Sequence, residues 1–240
     1  MAEEKTFPLG RKPSPFDTSD YDLRTFIPIW RFEVEKKESD WQFPHQSLNQ
    51  GDFGHCVGFS GASWGISEPT HTERTNEDGH RYYYACKVIE GEPGEENGSY
   101  VRSIAKVLKA EGCVDAYAFA SDMETIKYWL LYRGPIIAGT IWTKGMFTPD
   151  ENNIIHPDEE VSGGHAYLLN EWRIDNYIGI QNSWGPEWGV NGKAYISEED
   201  FKKIFIRGGE ALAAIEIEKL VQPAKKECWL IKFFREIFSS

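Results

Sequence analysis

Apolar positions follow two rhythms along this chain. In the first half they recur at helical spacing. Tyr100, Ile104, Val107 and Leu108 share one face at i, i+4, i+7 and i+8, with Ser99 as candidate cap and Gly112 as stop. Ser121-Asp122-Met123-Glu124 reads as a capping box. The helix it opens buries Ile126, Trp129 and Leu130 and stops at Gly134-Pro135. Residues 56 to 66 predict a buried helix, small residues allowing close packing around Val57, Phe59, Ala62 and Trp64. Residues 81 to 89 predict another, after a polar loop over 68 to 79. From Ile136 the pattern changes. Strands are expected over 136–142, 165–170, 177–181, 193–196 and 211–217, with a short helix at 197–205. Helices first and strands second predict an α+β protein. Its helical lobe spans about 50–114 and its β-rich lobe about 115–218.

The ends differ from the middle. Residues 1–20 carry Pro8, Gly10, Pro13 and Pro15 among scattered charges and read as an extended arm. The folded domain is expected over 21–221. Residues 222–240 form an amphipathic tail with Leu230, Phe233, Phe234, Ile237 and Phe238 on one helical face. That face suits docking on the protein's own surface, a membrane surface or a protein partner.

The chain has 240 residues and a formal net charge of −12. Such acidity excludes nucleic acid as the main partner, because phosphate binding rests on Lys and Arg. The four cysteines, Cys56, Cys86, Cys113 and Cys228, form no CxxC pair, and no histidines stand at metal-ligand spacing. Neither a metal nor a cofactor is expected. The N-terminus lacks an apolar signal core and no apolar run is long enough to span a bilayer, so a reducing, cytoplasmic setting with free thiols is expected. A monomer is expected.

One stretch suggests chemistry. Asn49-Gln50-Gly51 leads through Gly54 to Cys56 at a helix start. There the unpaired N–H groups and the helix dipole favour the thiolate, the attacking form. Such a nucleophile needs a base, a group that orients the base, and oxyanion donors. His165 lies behind Gly163 and Gly164 at the head of an apolar strand. Taken alone it reads as a structural histidine. Asn182 follows the next strand, and its side-chain oxygen suits accepting an imidazole N–H, with Trp184 beside it to keep water off that bond. Gln50, six positions before Cys56, suits donating with the Cys56 N–H to an oxyanion.

These segments resemble the papain family of cysteine peptidases. Asn49-Gln50-Gly51 before Cys56, Gly164-His165-Ala166, Asn182-Ser183-Trp184-Gly185, Trp188-Gly189 and Asn191-Gly192 match it in type and order. Asp22-Leu23-Arg24 is similar to the opening of its mature domain, and Gly134-Pro135 to its Gly-Pro before a strand. The resemblance implies a helical lobe and a β-barrel-like lobe with the active site in the cleft between them. It implies Cys56 as nucleophile paired with protonated His165, Asn182 as orienter, Gln50 in the oxyanion hole and Trp184 over the His–Asn bond. Gly98 and Gly164 would support a polypeptide substrate, Gly98 in the segment that pairs with it. The implied reaction is peptide-bond hydrolysis through an acyl-enzyme. The same machinery serves amidases and ligases, and a non-catalytic binding protein is a further alternative.

Two departures stand out. Phe53 replaces a family cysteine, and Val57 the usual aromatic after the nucleophile. A long inhibitory pro-segment is not expected, so control is expected to lie elsewhere. The acidic loops over 90–97 and 149–160 read as solvated surface or as shapers of the cleft.

Overall fold

A computed structural model describes residues 6–27 and 37–215. The amphipathic tail and Cys228 lie outside the described residues. In chain order the strands are β1 (Arg11–Lys12), β2 (Tyr21–Asp22), β3 (Ser39–Asp40), β4 (Ser99–Tyr100), β5 (Ala116–Phe119), β6 (Ile136–Thr143), β7 (Val161–Trp172), β8 (Tyr177–Gln181), β9 (Lys193–Ser197) and β10 (Glu210–Ile215). The α-helices are α1 (Cys56–Ile66), α2 (Asn76–Ile89), α3 (Val101–Ala110), α4 (Met123–Tyr132) and α5 (Glu198–Phe205).

The main sheet runs β2-β5-β10-β6-β7-β8-β9, with β3 added on β7. Its long strands alternate between two cores, because side chains along a strand point to opposite faces. Ile136, Ala138, Tyr167, Leu169, Ala211 and Ala213 pack in one core with α4 and α5. Ile137, Ala166, Leu168 and Leu212 face the other, filled by α1, α2 and α3. The sheet is therefore the shared wall of both lobes, and α1 lies against β7 across it.

Helix α1 matches its predicted span, and all eleven of its residues are buried. It has no polar face because it is covered on every side. The fully buried Val57, Phe59 and Ile66 each contribute roughly 1.5–3 kcal/mol. Its glycines admit neighbouring backbone. A Cβ on Gly58 would stand 2.3 Å from the Gly79 carbonyl oxygen and 2.5 Å from the Tyr83 nitrogen, so α1 and α2 meet nearly backbone to backbone.

The structure differs from the pattern at several elements: the short strands β1 to β4 are not expected from it, and β7 begins at Val161, four residues before the expected start. Helix α2 starts five residues before 81, where Thr75 and Asp78 form a capping box that converts part of the polar stretch into helix. Ser99 is not a helix cap; it lies in β4, and its hydroxyl donates to Glu90 Oε1 at 2.5 Å. The cap of α4 is Asp122, one residue after Ser121, accepting from the Thr125 N–H. Strand β5 has no counterpart among the expected strands. Its pairing with β10 and β2 joins segments far apart in sequence, which local periodicity does not report.

Candidate active site

Three elements converge on one point. Helix α1 places Cys56 at its first turn, β7 carries His165, and Asn182 follows the last residue of β8. His165 Nε2 and Asn182 Oδ1 are 2.8 Å apart, and both residues are fully buried. The same Asn182 oxygen accepts the Ser183 N–H at 2.8 Å, so the amide cannot swing away from the ring. Bonding through Nε2 turns Nδ1 to the other side, where it has no hydrogen-bond partner among the described residues. Trp184 stacks on His165 with ring centres 4.5 Å apart, and Trp142 meets it edge-on at 4.9 Å. The two indoles form the apolar cover over the His165–Asn182 bond.

Gln50 is locked from both ends. Its Oε1 accepts the Ser183 hydroxyl at 2.7 Å, and its backbone N–H bonds the Ser183 carbonyl at 2.9 Å. The amide Nε2 then donates to the Phe53 carbonyl at 2.6 Å and to the Pro8 carbonyl at 3.2 Å. A carbonyl oxygen thus already rests on the predicted oxyanion donor.

That Pro8 carbonyl belongs to the arm, which runs through the cleft. Phe7 stacks on Trp184 at 4.5 Å with the rings 6° apart, extending the aromatic pile over His165. The Gly10 N–H donates to the Cys56 sulfur, as does that of Ala166. Gly10 in turn gives its carbonyl to the Ser99 N–H at 2.8 Å, and β1 pairs with β4 in parallel, Arg11 opposite Ser99. The thiol thus meets an amide N–H of the arm that fills the cleft.

The loop before β4 is held by a buried lysine. Lys87 Nζ donates to Glu90 Oε2 (2.8 Å), Glu92 Oε2 (2.5 Å), Asn97 Oδ1 (2.8 Å) and the Gly98 carbonyl (3.1 Å). Gly98 gives its N–H to the Tyr83 hydroxyl at 3.1 Å, and the N–H that pairs with the arm is that of Ser99. Gly98 has φ of +83°, and a Cβ on it would stand 2.4 Å from the Gly10 carbonyl oxygen. Both facts call for glycine. Gly164 has the matching role on the opposite wall, where a Cβ would stand 2.2 Å from the Arg11 carbonyl oxygen. His55 caps α1 with its ring buried, stacked on Tyr83 at 3.7 Å and bonded to His80 Nδ1 at 2.7 Å and Glu96 Oε2 at 2.6 Å. It faces away from the thiol chemistry.

Burial under the arm sets the charge state. It pushes the Cys56 thiol up to about 11, against the lowering effect of the Ala166 and Gly10 N–H groups. It pulls His165 down to about 4, against the raising effect of Asn182. In the arm-filled cleft the pair is therefore neutral thiol and neutral imidazole, not the ion pair the resemblance implies. The cause is desolvation, to which the arm adds its own cover, through Gly10 at Cys56 and through Phe7 stacked on Trp184. A thiol held at about 11 is thiolate to only roughly 10⁻⁴ at pH 7. Alkylation of Cys56 in the unaltered chain by iodoacetamide is expected to be slow at pH 7 and to rise tenfold per pH unit toward about 11. A plateau near neutral pH would show that the cleft is open in solution.

The comparisons agree with this geometry. The model of the papain family of cysteine proteases matches residues 77–208, more than half of the chain. The chain belongs to that family. Cathepsin B-like cysteine proteinase 6 of Caenorhabditis elegans is 31% identical over 80 residues, which is 32% of this chain and 21% of that protein. The match thus spans about a fifth of the length of that curated relative. Among solved structures, xylellain, a cysteine protease from Xylella fastidiosa, superposes with a TM-score of 0.72 at 17% identity, over 90% of this chain and 98% of that one. Procathepsin B S9 from Trypanosoma congolense gives 0.63 at 13% identity, over 87% and 86%. At these identities the likeness concerns the fold, and the papain fold accounts for the cleft between the helices and the sheet.

Cys56, His165, Asn182, Gln50, Trp184, Gly98 and Gly164 all border this one cleft. The pattern did not point to Phe7, Pro8, Gly10 and Arg11 as its occupants, nor to Ser99, Lys87 or Glu210. Proline and glycine in the arm announce an extended chain, but nothing local says where an extended chain will lie.

Proposed function

We propose that this chain is a cysteine peptidase that hydrolyses peptide bonds through an acyl-enzyme on Cys56. The observation that carries this reading is the buried His165–Asn182 bond, with the free Nδ1 of the same ring left on the side away from Asn182. With the arm withdrawn, His165 takes the thiol proton and the thiolate attacks the scissile carbonyl. Gln50 Nε2 donates to the oxyanion from the place where it now holds the Pro8 carbonyl. The imidazolium returns its proton to the leaving amine, and water enters to release the acyl group with His165 as base. Membership of the papain family supports this sequence of steps.

The arm makes the protein self-covered. Cys56 has no exposed surface, so a substrate meets it only after residues 7–12 move out. Access is thus governed by the equilibrium between an arm-filled and an arm-free cleft. A thiol-directed epoxide and a diverse peptide library are the test. The epoxide is expected to label Cys56 and the library to be cleaved by an arm-loosened chain, with both signals lost in Cys56→Ala. Undiminished cleavage by Cys56→Ala would sink the proposal.

A further inference from the structure

Residues 97–100 carry the edge on which the arm pairs, and a buried ion pair holds that edge from behind. The side chain of Lys87 has no exposed surface, and that of Glu90 is 3% exposed. Both stand at the C-terminal end of α2, with Lys87 Nζ 2.8 Å from Glu90 Oε2. Together they engage four consecutive residues. Lys87 donates to Asn97 Oδ1 and to the Gly98 carbonyl, and Glu90 Oε1 accepts the Ser99 hydroxyl and, at 3.2 Å, the Tyr100 N–H. The Ser99 N–H is left to the cleft, where it meets the Gly10 carbonyl.

The segment needs an external hold. Gly98 has φ of +83°, and a glycine enters many other conformations as readily. A buried ion pair adds little net stability, because desolvation offsets the attraction of its charges. Its hydrogen bonds are directional, however, and here each one aims a group of the edge. Gln50 and Cys56 take the scissile carbonyl, so the Ser99 N–H remains for a second carbonyl of an extended substrate. We infer that Lys87, paired with Glu90, is a positioning residue for substrate binding, a role that rests on the peptidase reading of the same cleft. Lys87 fixes the Gly98–Ser99 edge so that the Ser99 N–H takes a backbone carbonyl of the substrate as it takes that of Gly10.

The arm reports on the same edge without turnover. Arg11 anchors it on Glu210, with Nε 3.1 Å from Oε2. Lys12 Nζ reaches Asn97 Oδ1 at 3.1 Å and Glu92 Oε2 at 3.4 Å, two acceptors that Lys87 also uses. Replacing Lys12 by alanine in a peptide copy of the arm removes that overlap. The bond from Ser99 to the Gly10 carbonyl is then the contact that depends on Lys87.

The test uses the full chain carrying Gly10→Val, which loosens the arm. In it Lys87→Met is expected to raise the KM of a blocked Leu-Arg coumarin amide about 10-fold, to leave kcat within about twofold, and to lower the Tm, since Glu90 is left buried and unpaired. Lys87→Met/Glu90→Gln removes both charges, keeps an acceptor for Ser99 and Tyr100, and removes the donor to Gly98. It is expected to recover most of the Tm and to keep the raised KM, and it carries the test by itself if Lys87→Met does not fold. A second readout needs no turnover. A labelled peptide of residues 6–14 carrying Lys12→Ala is expected to bind Cys56→Ala/Gly10→Val about 10-fold more weakly once Lys87→Met/Glu90→Gln is added. Recovery of KM together with Tm, a fall in kcat in place of the rise in KM, or unchanged peptide binding overturns the inference. Absence of all turnover with the loss of peptide binding intact overturns the peptidase reading and leaves the hold of Lys87 on this edge standing.

Discussion

Replacing Gly10 by valine is expected to raise the rate of Cys56 alkylation at pH 7 about 100-fold and to give the chain measurable peptidase activity. The reason is steric. A Cβ on Gly10 would stand 1.8 Å from the Gly54 carbonyl oxygen, which is backbone and cannot rotate away. Overpacking of this kind costs about 1–3 kcal/mol, and about 3 kcal/mol shifts an arm-filled to arm-free equilibrium by roughly 100-fold. The clash falls on the arm itself, and lifting it also frees Phe7 and Leu9 from the edge of the core they pack against. As the arm lifts, Cys56 and His165 regain solvent, and the two values now held apart near 11 and 4 move toward an ion pair. Alkylation should then lose its steep pH dependence and level off near neutrality. Arg11→Ala, which removes the Glu210 anchor, is expected to act in the same direction. Equal rates in Gly10→Val and the unaltered chain would mean that the arm does not control access.

The second large effect separates the base from its orienter. In the Gly10→Val chain, His165→Ala is expected to lower kcat about 10⁴-fold or more, because no other group is left to take the thiol proton. Asn182→Ala is expected to cost about 10–100-fold. A hydrogen bond to a charged group contributes about 1.5–3 kcal/mol, and this one forms in full when His165 is an imidazolium. It is also sealed by Trp184, which is 4% exposed, so water does not replace the lost carbonyl oxygen. Both variants are read on one peptide, with epoxide labelling of Cys56 as a second measure. Labelling should survive in Asn182→Ala and nearly vanish in His165→Ala. Peptidase activity of His165→Ala within tenfold of its parent would remove His165 from the mechanism.

Much of the site is legible in the sequence. Cys56 stands out because a glycine-flanked thiol precedes a run that only a buried helix accommodates. His165 and Asn182 stand out because each sits where a strand meets small or polar residues. The family resemblance then ties them together across more than a hundred positions. The spans of α1 and β8 follow from the pattern because neither stretch carries a charged residue. The start of helix α2 and the whole of strand β5 escape it for opposite reasons. The first is opened by a polar capping box that looks like loop, and the second is a strand only by virtue of its distant partners.

The arm marks the limit of sequence reading. Phe7, Pro8, Gly10 and Arg11 carry no periodicity, and their energy in the fold comes from groups 42 to 199 positions away, at Gln50 and Glu210. By itself the sequence pointed to the two lobes and to Cys56, His165 and Asn182 as candidate nucleophile, base and orienter, because these depend on local pattern and on residue types that few other roles require. Only the tertiary structure decided that the cleft is filled, that burial pushes the thiol and the imidazole toward their neutral forms there, and that Arg11 of the arm is buried against Glu210. Those facts depend on desolvation and on contacts between distant segments, and neither is encoded at any single stretch of the chain.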